Sequence, residues 1–287
     1  MTRETFQAPV DGGVLAGYVD GEGPPALVLH GGPGLTVSIV DGLVADLLPA
    51  YRVATFQQRG IEPSTTEGEF TIDEAVADVG AVLDHLGWDR AYVVGSSWGG
   101  HLAFWCAAQV PRRLLGALAV DPLGAVGDSG NAAFEAEMER RTPEADRERA
   151  AELDRLAQEG EVSEELALES LRLFWPAYFA APELASPMWA TGLSIPAYSG
   201  LFADLLARLP ELEQALPSIG VPVGAVVGAD SPMPVSSAQQ STDRVPGGWT
   251  QVVSGAGHFP WYEAPGSVRQ ALDRLTGDVA HSSASSA

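Results

Sequence analysis

The pentapeptide Gly95-Ser96-Ser97-Trp98-Gly99 carries the first chemical signal in the chain. Only Ser97 has glycine at both −2 and +2, the spacing a nucleophilic serine needs on a tight strand-to-helix turn. Side chains at the flanking positions would strike neighbouring backbone. The context strengthens the string. It begins on the last residue of Ala91–Gly95, an apolar run that reads as a strand, and it opens a helical pattern from Trp98 to Val110. A helix starting there aims the positive end of its dipole at the site, which suits developing negative charge.

A serine hydroxyl needs a base, and five histidines are available. His281 lies in a Ser/Ala-rich tail, and His85 sits beside charged residues on a helix. His101 is one turn beyond Ser97 on the same helix, which carries its side chain away from the turn. His30 ends a strand before a glycine cluster and reads as a structural hydrogen-bonding residue. His258 remains, in Ser254-Gly255-Ala256-Gly257-His258, a loop just past the strand Trp249–Val253. It is the expected general base. An acid must fix its tautomer and stabilise the imidazolium. Asp230, two residues past the strand Pro222–Gly228, is the favoured candidate, and Asp121 at the end of Leu115–Val120 is its rival. Backbone donors for an oxyanion are expected from Gly31-Gly32-Pro33-Gly34 and from the N–H of Trp98, which follows the nucleophile.

The elements that must hold these residues alternate. Thr5–Val10 and Val14–Val19 flank an Asp11-Gly12-Gly13 turn signal and read as an antiparallel pair. Ala26–His30, Arg52–Phe56, Ala91–Gly95 and Leu115–Val120 are short apolar strands, with a helix over Asp73–Leu86. Strands without internal alternation, separated by helices, predict an α/β fold whose mostly parallel sheet is covered on both faces. From Pro122 to Leu216 only helix signals occur, over Asn131–Arg141, Glu144–Gln158, Ser163–Phe174 and Leu201–Leu216. Strands resume at Pro222–Gly228 and Trp249–Val253, and a last helix covers Ser267–Leu275. The expected organisation is a core over 1–121 and 217–276, a helical insertion over 122–216, and a flexible tail over 277–287. The aromatics Trp175, Tyr178, Phe179 and Trp189 of the insertion suit either a substrate pocket or ordinary packing.

Composition narrows the function classes. The 287 residues are 46% hydrophobic and 19% charged, the arithmetic of a globular chain. A net charge of −22 repels nucleic acid and anionic membrane surfaces, so neither is an expected partner. All 16 basic residues are Arg; without Lys there is no P-loop lysine, lysine nucleophile or Schiff base to pyridoxal phosphate. One cysteine, Cys106, cannot form an internal disulfide. The N-terminal residues lack the apolar core of a secretory signal, so the expected location is cytoplasmic. Scattered histidines and the lack of a G-x-G-x-x-G string leave no metal and no cofactor to expect.

His-Gly-Gly-Pro-Gly at 30–34, Gly-Ser-Ser-Trp-Gly-Gly at 95–100 and Gly-Ala-Gly-His at 255–258 resemble the signatures of the α/β-hydrolase superfamily, and within it the proline iminopeptidase-like group. The resemblance covers 1–121 and 217–276. It implies the α/β-hydrolase fold, with Ser97, Asp230 and His258 as a triad, Gly32 and Trp98 as oxyanion donors, and 122–216 as a cap over the active site. The order Ser…Asp…His is that of α/β-hydrolases. Two stretches depart from the group. Gln57-Gln58-Arg59-Gly60-Ile61-Glu62-Pro63-Ser64 stands where it usually reads Asp-Gln-Arg-Gly-x-Gly-x-Ser. The Trp-Glu pair near which iminopeptidases hold the substrate amine does not occur; Trp175 precedes Pro176 and Trp189 precedes Ala190.

The expected function is a cofactor-independent serine hydrolase acting on an ester or amide of a small molecule or short peptide, with an iminopeptidase-like aminopeptidase as one form of it. The alternatives are an esterase, a lactonase, an acyl-transferring enzyme, and a non-catalytic ligand-binding protein on the same fold.

Overall fold

The structure is a computed structural model that describes residues 3–284, with side chains described to Gly277. Its eight strands are β1 (Glu4–Val10), β2 (Gly13–Asp20), β3 (Pro25–Leu29), β4 (Arg52–Phe56), β5 (Ala91–Ser96), β6 (Leu114–Val120), β7 (Val223–Gly228) and β8 (Trp249–Val253). The first helices are α1 (Asp41–Leu47), α2 (Ile72–His85) and α3 (Trp98–Gln109). In the insertion follow α4 (Asn131–Arg141), α5 (Glu144–Gln158), α6 (Glu164–Phe174) and α7 (Ile195–Ala215). The chain closes with α8 (Val235–Thr242), α9 (Pro260–Glu263) and α10 (Ser267–Ala284).

All strands join one sheet in the order β1-β2-β4-β3-β5-β6-β7-β8. β1 and β2 pair antiparallel, β2 runs antiparallel to β4, and β3 to β8 are parallel. The chain steps outward from β3 to β4 and then returns to place β5 on β3's other side. That reversal makes the C-terminal ends of β3 and β5 a switch point, where open α/β sheets leave room for a ligand. The central strands β3, β5, β6 and β7 are buried on both faces, as their apolar runs required. In β5, Ala91 and Val93 face one core cluster while Tyr92 and Val94 face the other. The first cluster is covered by α2, α3 and α7, and the second by α1, α9 and α10.

The stretch 122–216, expected as a cap, is not uniform. α7 starts at Ile195, six residues before the apolar pattern at Leu201, with the Ser194 hydroxyl accepting from Ala197 N–H. Its Leu201, Leu205, Leu209 and Leu212 share one face and pack into the main core with α2 and α3. α10 runs to Ala284, past the expected end at Leu275. The His281 side chain lies outside the described side chains, and Ser285–Ala287 lie outside the described residues. Among the described residues, no helix is long and apolar enough to cross a membrane.

Candidate active site

Ser97 sits between β5 and α3 with φ 55° and ψ −115°, a left-handed conformation that a non-glycine residue adopts only when its surroundings enforce it. They do so here through contacts that exclude side chains. A Cβ on Gly95 would overlap the backbone of Gly99, and one on Gly99 would overlap the carbonyl of Leu29. The Ser97 N–H donates to Val120 O (2.9 Å), which fastens the turn to the end of β6. Trp98 is the first residue of α3, so its N–H has no carbonyl within the helix to meet. The loop after β3 passes over this turn. A Cβ on Gly31 would lie 3.1 Å from Ser97 Cβ, and Gly32 follows with φ 58°.

His258 is held on a loop docked into the insertion. Its N–H donates to Tyr178 O (2.8 Å), and the preceding Gly257 N–H donates to the Glu263 carboxylate (2.7 Å). Burial shifts Glu263 upward from the usual carboxylate range. The ring places Nδ1 2.5 Å from Asp121 Oδ2. Both side chains are buried, at 4% and 0% exposure, so water does not compete for this contact. With Nδ1–H donated to the carboxylate, Nε2 keeps the lone pair that a base requires.

The carboxylate beside the imidazole is that of Asp121, the rival candidate, and not that of Asp230. Asp230 does not face His258: it is exposed, on a turn where its N–H donates to Ala256 O (2.9 Å). Its own carbonyl accepts from Arg141 Nη1 (2.7 Å). Asp121 directly follows β6 with φ 43°, its N–H donating to Val226 O (2.8 Å), and this conformation turns its carboxylate to the imidazole. The structure therefore brings Ser97, Asp121 and His258 to the C-terminal edge of the sheet and leaves Asp230 outside. Chain order stays Ser…Asp…His.

Of the other described histidines, His85 is exposed on α2 with its ring 5.6 Å from that of Phe6, and His30 and His101 are bound as structure. His30 Nδ1 donates to Gly31 O (3.1 Å), and Nε2 accepts from the N–H of Gln58 (3.2 Å). His101 Nδ1 donates to Gly124 O (3.1 Å), while Nε2 accepts from Trp105 Nε1 (3.2 Å). Both rings are fully buried, and burial pushes each down to about 4. Between pH 6.5 and 4 the unfolded chain therefore binds two protons that the folded chain refuses. Stability from these groups is present above 6.5 and is lost as pH falls, by about 3 kcal/mol per histidine. His101→Gln, whose amide can both donate to Gly124 and accept from Trp105, should remove about half of this dependence. Urea midpoints at pH 7.5 and 4.5 check it; equal losses in the variant and the parent would contradict the assignment.

Two residues of the stretch that departs from the group's pattern brace the site, a role the sequence did not assign them. Gln58 Nε2 donates to His30 O (3.1 Å), and its Oε1 accepts from Trp98 Nε1 (3.0 Å), tying the loop after β3 to the start of α3. Gln57 accepts from Val37 N–H (2.9 Å) and donates to Leu35 O (3.0 Å). An Asp at 57 has no hydrogen to donate when ionised, so the amide does what the usual carboxylate would not. Arg59 instead makes a buried two-pronged pair with Asp78 (2.6 and 2.7 Å).

The insertion is stitched to the same loop. Ser194 N–H donates to Gly34 O (2.8 Å), Thr36 N–H to Gly192 O (3.3 Å), and Ser38 Oγ to Trp189 O (2.8 Å). Leu35 and Leu193 form an antiparallel bridge. Of the insertion's aromatics, Trp175 and Phe179 are buried in a ring cluster around Phe259. Trp189 packs on Phe259 at 4.9 Å. Tyr178 alone lies against His258, at 5.0 Å between centroids, with Phe134 behind it at 6.0 Å.

Comparison with known proteins agrees with this architecture. The family described as alpha/beta hydrolase fold matches residues 24–265, and the chain belongs to it. The chain is similar to a proline iminopeptidase of Xanthomonas citri, 41% identical over 90 residues, which are 30% of this chain and 28% of that one. It is similar to epoxide hydrolase B of Mycobacterium tuberculosis (strain ATCC 25618 / H37Rv), 35% identical over 104 residues, 35% of this chain and 29% of that one. The matched segments thus span about three tenths of these curated relatives. A hydrolase of alpha/beta fold from Bacillus anthracis str. Sterne superposes with a TM-score of 0.73 at 17% identity, over 96% of this chain and 100% of that one.

Proposed function

We propose that the protein is a serine hydrolase that cleaves an ester or amide through Ser97, His258 and Asp121. The observation that carries this reading is the buried 2.5 Å contact of His258 Nδ1 with Asp121, at a strand end whose neighbour presents Ser97 on a strained turn. Ser97 Oγ attacks the carbonyl carbon as His258 Nε2 takes its proton, and Asp121 stabilises the imidazolium. The tetrahedral oxyanion is held by the N–H groups of Trp98 and Gly32, in which one such donor is commonly worth about 10²–10³ in rate. The imidazolium then protonates the leaving alcohol or amine, and water resolves the acyl-enzyme by the same steps reversed.

The motifs at 30–34 and 95–100 and the iminopeptidase relative favour one further reading, an aminopeptidase acting on N-terminal proline. The lack of a Trp-Glu pair favours an ester or lactone instead. The deciding experiment treats the protein with a fluorophosphonate and offers the untreated protein p-nitrophenyl acetate and a prolyl arylamide side by side. Stoichiometric modification of Ser97, with loss of ester turnover, is the expected result. Arylamide turnover would assign the aminopeptidase. No modification and no turnover would leave a ligand-binding protein.

A further inference from the structure

Asp121 is held by more than the imidazole. Its Oδ1 accepts from Gly228 N–H (3.1 Å), and its Oδ2 accepts from both His258 Nδ1 and the Ser231 hydroxyl, each at 2.5 Å. The direction of the serine bond is fixed by chemistry: an ionised carboxylate has no hydrogen to give. Ser231 Oγ itself accepts from Met233 N–H (3.0 Å), so one lone pair is occupied and the hydroxyl hydrogen is aimed at Asp121. The loop after β7, where the acid had been expected at Asp230, thus delivers a hydrogen-bond donor to an acid that stands on β6.

We propose that Ser231 is a positioning residue, acting through Asp121, that sets the carboxylate's orientation and the charge His258 meets. This rests on the reading of Asp121 and His258 as acid and base. A donor on the same oxygen as the imidazole draws off part of its charge and holds the carboxylate against rotation about its Cβ–Cγ bond. Removing it leaves Oδ2 a stronger partner for imidazolium, so His258 should protonate at higher pH. It also frees the carboxylate to leave the productive orientation, which should lower kcat more than it changes KM. The other titratable or charged groups packed around this pair are Tyr178, Glu263, Asp230 and Arg141. They are common to parent and variant, so a difference between the two isolates the hydroxyl.

The test compares Ser231→Ala with the parent by NMR titration of the His258 ring, assigned with His258→Asn, and by kcat and KM for p-nitrophenyl acetate. The expected result is an upward shift of the titration by about half to one pH unit, with a loss of roughly 10-fold in kcat. Ser231→Thr, which keeps the hydroxyl, should restore both. If Ser231→Ala does not fold, Ser231→Cys, a weaker donor, should shift the titration in the same direction. A lower melting temperature with an unmoved His258 titration would reduce Ser231 to a turn residue and overturn the proposal. Failure of the underlying triad is read separately: Ser97→Ala would keep its turnover, whatever Ser231→Ala does to the imidazole.

Discussion

Ser97→Ala is expected to lower turnover of any acyl substrate by about 10⁴–10⁶-fold, the range seen when a triad nucleophile is removed. The fold should survive the change. Alanine keeps the Cβ that already fits the turn, and the turn is imposed by the glycines and by the Ser97 N–H bond to Val120, none of which needs the hydroxyl. Steady-state rates with p-nitrophenyl acetate, read beside the melting temperature, separate chemistry from folding. Turnover within tenfold of the parent at an unchanged melting temperature would remove Ser97 from the mechanism. What remains in the variant should reflect the oxyanion donors and binding alone.

The second large effect divides two aspartates. Asp121→Asn should cost about 10⁴-fold in kcat, whereas Asp230→Asn should change it by less than about 3-fold. An amide at 121 can still accept from Gly228, but it then turns its NH2 toward His258 Nδ1. The ring must answer as an acceptor at Nδ1, which moves its hydrogen to Nε2 and takes away the lone pair that would receive the Ser97 proton. Asp230 offers its side chain to solvent, and its structural bonds run through the backbone, which asparagine keeps. Parallel kcat measurements on the two variants check the contrast. The reverse pattern would place the acid on the loop after β7 and require that loop to rearrange.

The same pair of aspartates shows where sequence reasoning stops. Both follow a parallel strand and both lie between Ser97 and His258 in the chain, so order and spacing treat them alike. Side-chain direction separates them, and it is set by a left-handed φ at Asp121 and by a turn that bonds Asp230 N–H to Ala256. Neither leaves a mark in the local sequence. The elements themselves were more legible. Arg52–Phe56 and Trp249–Val253 have the bounds their short runs predict: the first is buried from Val53 to Phe56, as a strand covered on both faces should be, and the second is a half-buried strand at the sheet's edge. The turn at Ser97 was legible for the same kind of reason, since close backbone approach at Gly95 and Gly99 demands glycine. The bracing by Gln57 and Gln58 was not, because its partners at Leu35, Val37 and His30 lie 20 to 28 residues away in sequence. α1 and α8 also went unread: seven and eight residues are too few to show a helical period.

The backbone stitching of 189–194 to 34–38 has a consequence for anyone recombining this protein with its relatives. The insertion is not a module that can be exchanged at its two chain crossings. It contributes the edge against which Gly34, Leu35 and Thr36 are registered, so a foreign insertion would have to bring its own complementary edge at the same height. A chimera joined only by matching end points would inherit the recipient's serine, aspartate and histidine. It would lose the scaffold that tells the glycine loop where to lie, and its defect would surface in a part of the chain that was never exchanged.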